Sequence, residues 1–100
     1  MIVYKIFISY QRPFPYLRMS FELFTHAISP PARACEVLIN LVDVTPRITN
    51  LDIFNGEQNK PEFLAINPAH CVPTLKDDNL VLWESRAIMS YICNKYGGQK

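Results

Sequence analysis

This 100-residue sequence is poor in the groups that build metal, disulfide and membrane structures. Its three cysteines, Cys35, Cys71 and Cys93, are odd in number, widely spaced and never form a CxxC. Neither a disulfide framework nor a zinc site is indicated, and a reducing, cytoplasmic compartment is expected. His70 has no second histidine at ligand spacing, so no metal site is expected there. No apolar run approaches the roughly 18 residues a membrane helix needs. The longest candidate is cut by Lys5, Gln11, Arg12 and two prolines, which predicts no bilayer span. Net charge is only +1, and residues 19–100 carry seven bases against nine acids, which is no nucleic-acid footprint. Internal repeats and low-complexity segments are also lacking.

What is present fits one small domain. A hydrophobic fraction of 49% supplies one core but not two. Residues 1–18 differ from the rest, being aromatic and basic (Lys5, Arg12, Arg18) with no acid. A secretory leader is disfavoured because Lys5 splits the apolar part and no small-residue cleavage site follows. A mitochondrial leader is disfavoured because the segment is neither Ser-rich nor helix-periodic. An extra edge strand over residues 2–9 has the right β-branched and aromatic content. The preferred expectation is a poorly ordered extension ahead of a domain that starts at Met19 and runs to residue 100.

Residues 21–25 read as a short buried strand. Ser29-Pro30-Pro31 then places a favoured N-cap before prolines at the first helical positions. The helix it starts spaces Ala34, Cys35, Val37, Leu38, Leu41 and Val42 so as to lay one face on a sheet, and it ends near Asp43. Thr45-Pro46 marks a turn, residues 48–54 read as a second strand, and Asn55-Gly56 stops it. Asn59-Lys60-Pro61-Glu62 opens a short helix through Phe63, Leu64 and Ile66. The Asn67-Pro68 step ends it, because a residue before proline is pushed out of the α region.

The chain is organised around residues 67–86. Pro73 donates nothing to a sheet ladder, so it belongs at the first position of a strand containing Thr74-Leu75, where a cis bond turns the backbone. A polar turn at residues 76–79 leads to the strand Leu80-Val81-Leu82. Glu84-Ser85-Arg86 follows directly and opens a helix with Ile88, Tyr91, Ile92 and Tyr96 on one face and Gly97-Gly98 as its stop. A hydroxyl and unpaired N–H groups therefore meet at a helix start, a ready site for a carboxylate. The order strand-helix-strand-helix-strand-strand-helix gives a parallel pair by right-handed crossover and then an antiparallel hairpin. The expected fold is α/β and thioredoxin-like: a mixed four-stranded sheet with helices on both faces.

Three motifs carry a resemblance over residues 20–98. They are Ser29-Pro30-Pro31 with Arg33; Lys60-Pro61-Glu62-Phe63-Leu64 running into Asn67-Pro68-Ala69-His70-Cys71-Val72-Pro73-Thr74-Leu75; and Glu84-Ser85-Arg86-Ala87-Ile88. Together they resemble the N-terminal domain of the glutathione transferase family, most closely its insect delta and epsilon classes. The resemblance implies that Ser29 stands where thioredoxins keep their first cysteine, with Ala32 in place of the second, and that Ser29 is the catalytic residue stabilising the glutathione thiolate. It implies that Ser85 takes the γ-glutamyl carboxylate and Glu84 faces the ammonium. His70 and Arg86 would contact other polar groups of the tripeptide. Val72, held by a cis Pro73 and flanked by Cys71, would pair with its cysteinyl backbone. The family usually has a second glutathione-contacting histidine where this chain has Gln58, which donates a hydrogen bond but carries no charge, so weaker or altered binding of the glycine carboxylate is expected.

Without the resemblance each residue has a plain structural reading. Ser29 is an N-cap, His70 a loop histidine, and Glu84 and Ser85 ordinary helix-start residues. Cys71 and His70 do not make a nucleophile and base, because adjacent strand residues point to opposite faces. Three functions follow. The first is a transferase conjugating glutathione, as co-substrate and with no cofactor, to apolar electrophiles in detoxification. By resemblance that enzyme is a homodimer needing an all-helical second domain, absent from these 100 residues. The second is a truncated, non-catalytic glutathione-binding or interaction module. The third, thiol-disulfide exchange through Cys71 or Cys35, lacks a paired cysteine.

Overall fold

A computed structural model describes residues 21–97 of the chain. The expected extension at residues 1–18 and the terminal residues 98–100 lie outside the described residues. Strand β1 (Glu22–Thr25) is followed by helix α1 (Pro30–Val42), strand β2 (Arg47–Asn50), two 3-10 turns (Ile53–Asn55 and Glu57–Asn59) and a short helix α2 (Pro61–Leu64). The hairpin of β3 (Thr74–Asp77) and β4 (Leu80–Trp83) then leads into helix α3 (Ser85–Tyr96). The four strands form one sheet in the order β2-β1-β3-β4, with β1 parallel to β2 and antiparallel to β3, and β3 antiparallel to β4. This is the expected mixed thioredoxin-like sheet.

Period-2 alternation divides the apolar residues of β1 between two cores. Phe21 and Leu23 point to the face covered by α1 and α3, where they pack with Cys35, Ile39, Leu75, Ile88 and Ile92. Phe24 points to the other face and packs with Leu51 and Phe63 beneath the 3-10 turns and α2. Leu23, Leu75, Ile88 and Ile92 are completely buried. Each contributes about 1.5–3 kcal/mol by leaving water. Helices therefore cover both faces, as the sequence pattern predicts.

Four local expectations are corrected. The buried stripe of α1 is Ala32, Cys35 and Ile39, with Leu38 and Val42 packed against it. Ala34 is exposed, as are Val37 (59%) and Leu41 (68%), because they follow the same helical period on the opposite side. The second strand stops at Asn50 rather than Phe54. After Leu51 donates to the Thr25 carbonyl, the Asp52 N–H turns away to the Glu57 carboxylate at 2.7 Å, and residues 53–55 coil. Helix α2 ends at Leu64, since Ile66 and Asn67 both donate to the Phe63 carbonyl in a closing turn. Lys76 and Asp77 belong to β3, pairing with Val81 and Leu80, which narrows the hairpin turn to Asp78-Asn79 with Asp78 left-handed at φ 54°.

Candidate functional site

The register gathers the sequence-predicted residues at one end of the sheet. Phe24 of β1 pairs with Thr74, and Thr74 pairs with Trp83. The carboxyl ends of β1, β2 and β4 and the start of β3 therefore share one edge. From that edge depart the loop to Ser29, the turns carrying Gln58, the entry through Cys71, Val72 and Pro73, and the Glu84-Ser85 helix start. In α/β sheets ligands bind in the crevice outside the carboxyl ends of the strands.

Ser29 has extended backbone (φ −89°, ψ 110°) and caps α1, its Oγ accepting from the Ala32 N–H at 3.2 Å. Its carbonyl accepts from Arg33 at 3.0 Å. Pro30 and Pro31 have no N–H to offer, so the first turn of α1 presents no backbone donor beyond these two engaged groups. With its oxygen used as an acceptor, the Ser29 hydroxyl keeps its single proton for another partner.

The opposite situation holds at α3. Glu84 makes no side-chain cap bond, and its backbone sits at φ 91°, ψ 108°, outside the regions an L-residue ordinarily occupies. The start of α3 is therefore an uncapped helix N-terminus, electrostatically suited to an anion. Arg86 and Glu84 are exposed there, and Ser85 is half-buried. The two helix starts are tied together by the Cys35 thiol, which donates to the Ser85 carbonyl at 3.9 Å. Burial, reinforced by the Glu36 charge, pushes the Cys35 thiol up to about 11.

Between them runs the loop into β3, with a cis Val72-Pro73 bond. Pro73 is buried, Val72 packs against the Phe24 and Phe63 core, and His70 is exposed in the left-handed region at φ 44°. Among the described residues His70 is anchored through its backbone, its N–H donating to the Asn67 carbonyl at 2.9 Å. Among the described residues no group of His, Cys, Asp and Glu has the geometry to hold a metal ion.

Residues 19–94 match the family model described as glutathione S-transferase, N-terminal domain. The chain belongs to the glutathione S-transferase family. Glutathione S-transferase D7 of Anopheles gambiae is 46% identical over 69 residues, which is 69% of this chain and 32% of that protein. An epsilon-class glutathione S-transferase from the housefly, Musca domestica, superposes with a TM-score of 0.74 at 36% identity, covering 77% of this chain and 35% of that one. A glutathione transferase homologue from Drosophila mojavensis, solved with bound glutathione, gives a TM-score of 0.76 at 33% identity, covering 78% and 36%. This glutathione S-transferase chain thus spans about a third of the length of the relatives it matches.

Within the glutathione S-transferase domain, sequence reading misses two scaffold groups. Asn67, read only as a helix stop, is completely buried, and its side chain bonds Thr74, Ala69 and the Cys71 sulfur. His26 accepts from the Ile28 N–H at 3.1 Å and stacks edge-on against Phe54 with ring centroids 5.2 Å apart, ordering the approach to Ser29. A polar pair flanking a proline-containing loop is the signal that marks Asn67 and Thr74. His26 carries none. Gln58 is half-buried, and its Oε1 is enclosed with no hydrogen-bond partner.

Proposed function

We propose that this chain is the glutathione-binding part of a transferase that adds the tripeptide's thiolate to apolar electrophiles. The enzyme would be cytoplasmic, detoxifying and homodimeric, with residues 19–100 as its first domain. The observation that carries the reading is that Ser29, whose Oγ accepts from Ala32 and keeps a proton to donate, lies at the same sheet end as Val72, Pro73, Glu84 and Ser85. The glutathione bound in the Drosophila mojavensis relative supports the ligand.

Lowering a thiol by about two pKa units requires roughly 2.7 kcal/mol of preference for the thiolate. A hydrogen bond to a charged acceptor contributes about 1.5–3 kcal/mol. The positive end of a helix adds about 0.3–1 kcal/mol. Since the backbone donors of α1's first turn are engaged or missing, the Ser29 hydroxyl supplies the larger share and α1 contributes only its field. The stabilised sulfur then attacks an electrophilic carbon of the second substrate, forming the C–S bond as a leaving group departs with its bonding pair or as an activated double bond takes the pair up. At the other end of the tripeptide the α3 start and Ser85 take the γ-glutamyl carboxylate while Glu84 meets the ammonium. His70, Cys71 and Arg86 border the peptide, Val72 faces its cysteinyl backbone, and Gln58 offers an amide toward the glycyl end.

Retention on immobilised glutathione tests this assignment, and failure of the unaltered chain to bind would end it. The second reading is a glutathione-binding or interaction module without turnover. Conjugation of glutathione to a small aromatic electrophile separates the two.

A further inference from the structure

Ser29 is reached from β1 through His26, Ala27 and Ile28, and both ends of that passage are fixed. Upstream, the buried Thr25 hydroxyl donates to the Glu36 carboxylate of α1 at 2.6 Å, and the Thr25 carbonyl accepts from Leu51 at 2.9 Å. Downstream, Pro30 and Pro31 hold the first turn of α1. The passage itself is a turn closed by the Ser29 N–H, which donates to the His26 carbonyl at 3.0 Å. Inside it the Ile28 N–H donates to His26 Nδ1 at 3.1 Å. That bond is the imidazole counterpart of an Asx turn, in which a side chain takes the N–H two residues on. Ala27 and Ile28 are exposed, so their side chains contribute little packing to the turn. Since a backbone N–H can only donate, Nδ1 carries no proton in this bond, and the ring is the neutral form protonated at Nε2. The same ring meets Phe54 at a right angle. Phe54 belongs to the 3-10 turn Ile53–Asn55, which is tied down in its own right. The Asp52 N–H donates to the Glu57 carboxylate at 2.7 Å, and Asp52 Oδ2 accepts from the Asn55 side chain at 2.5 Å. One imidazole therefore joins the turn before Ser29 to the turns that carry Gln58.

We propose that His26 is a positioning residue for Ser29, its Nδ1 locking the peptide planes ahead of Ser29 and so fixing the direction from which the hydroxyl meets the glutathione sulfur. This rests on the reading of Ser29 as the partner of the thiolate. From within α1 the Ser29 side chain is held by Ala32 alone, at 3.2 Å. What remains is the peptide between Ile28 and Ser29, and His26 restrains it twice, through the ring at the Ile28 N–H and through the carbonyl at the Ser29 N–H. A hydrogen bond weakens steeply as its angle degrades. A looser turn therefore costs thiolate stabilisation, while the contacts proposed for the γ-glutamyl end, at the start of α3, are left in place. Two substitutions separate the duties of the ring. His26→Phe keeps an aromatic against Phe54 and removes the acceptor. His26→Asn removes the aromatic and keeps an acceptor that reaches the N–H two residues on.

Titration of bound glutathione on the full chain tests the assignment, followed by the ultraviolet absorbance of the thiolate against the glutathione-free chain. In His26→Phe the bound thiol is expected to titrate about half a unit or more higher than in wild type, with little change in retention on immobilised glutathione. In His26→Asn it is expected to stay at the wild-type value. Site-resolved hydrogen exchange reads the turn itself: the Ile28 amide should exchange about fivefold or more faster in His26→Phe and remain protected in His26→Asn. The central Leu75 amide reports that each variant remains folded. A thiol equally depressed in wild type and His26→Phe overturns the proposal alone, as does a rise in His26→Asn as large as that in His26→Phe, which would assign the effect to the ring contact with Phe54. A wild-type chain that binds no glutathione, or binds it with the thiol of free glutathione, overturns the transferase reading and this proposal with it.

Discussion

Asn67 and Thr74, both completely buried, join their side chains in a 2.8 Å hydrogen bond that closes the loop between α2 and β3. The Asn67 amide oxygen accepts from Ala69 at 2.8 Å, and Thr74 donates onward to the Cys71 carbonyl at 2.7 Å. The backbone that presents Val72 and Pro73 therefore hangs on two side chains that never reach the surface. Asn67→Ala leaves Thr74 and the Ala69 N–H short of partners inside the protein. A loss of about 2–3 kcal/mol is expected, read as a lower urea midpoint at unchanged slope. Glutathione retention is expected to fall with it, although no contact with the tripeptide is assigned to Asn67.

Ser29→Ala separates the structural and chemical duties of one hydroxyl. As an N-cap its loss is expected to lower stability by about 1 kcal/mol. As the available donor of α1's first turn its loss is expected to reduce conjugation by about a hundredfold, the scale seen when one preorganised donor is removed. The pH at which the rate reaches half its plateau should rise by about one to two units, because the thiol loses the larger share of its stabilisation while the field of α1 remains. A uniform fall in rate with no movement of the pH profile would show that Ser29 does not act on the sulfur.

The sheet order and both helix starts were legible because they rest on residues whose physics is local. Ser29-Pro30-Pro31 caps a helix wherever it occurs, and Pro73 cannot sit inside a ladder. What was not legible depends on neighbours distant in sequence. Residues 53–54 are apolar enough for a strand, but the Glu57 carboxylate captures the Asp52 N–H and bends the chain out of the sheet. Val37 and Leu41 have the helical spacing of a buried face, yet the stripe through Cys35 and Ile39 is the one the sheet selects. At the site, cap and turn signals mark Ser29 and Glu84 only as helix-start residues, and their roles toward glutathione are what the family resemblance implies. The buried Asn67 clamp and the His26 contact with Phe54 follow only from the folded arrangement.

Glu84 holds a backbone conformation at φ 91° and ψ 108° that glycine adopts far more readily. Strain of this type is of order 1–3 kcal/mol. Glu84→Gly is therefore expected to raise the melting temperature while weakening glutathione retention, since the carboxylate proposed to meet the ammonium is gone. Glu84→Gln keeps the strain and removes only the charge, so it should lower affinity without a gain in stability. A destabilised glycine variant would mean that the surrounding loop, not the residue, sets this conformation.

The three cysteines should differ in reactivity. Cys93 is exposed, Cys71 half-buried, and Cys35 buried with its thiol pushed up to about 11 by burial and then by the Glu36 charge. At pH 8 only about one Cys35 thiol in a thousand is ionised while it stays buried. A chromogenic disulfide reagent is expected to titrate Cys93 first, Cys71 more slowly, and Cys35 only after denaturation. Rapid native reaction of Cys35 would contradict the packing of α1 against α3.

Asp77 gathers a cluster at the far end of the sheet from the candidate site, its Oδ2 accepting from the Tyr91 hydroxyl at 2.5 Å and from the Lys95 ammonium at 2.7 Å. Burial works to raise the Asp77 carboxyl, but the hydrogen bonds from Lys95 and Tyr91 and the ammonium charge together hold it below its ordinary 3.8. Lys95 is held above its ordinary 10.5, first by its bond to Asp77, and Tyr91 is raised by burial and then by the same carboxylate. The signs differ. A depressed carboxyl contributes stability that is present above pH 3.8 and is lost as pH falls through its folded value, whereas the raised Tyr91 and Lys95 contribute stability that is lost as pH rises through theirs. Asp77→Asn is therefore expected to lower stability near neutrality by about 2 kcal/mol, the scale of a hydrogen bond to a charged group. The gap between wild type and variant should close in acid below pH 3.8 and narrow again at strongly alkaline pH. Urea midpoints across that range check it, and a gap independent of pH would mean that the carboxylate acts only through its shape.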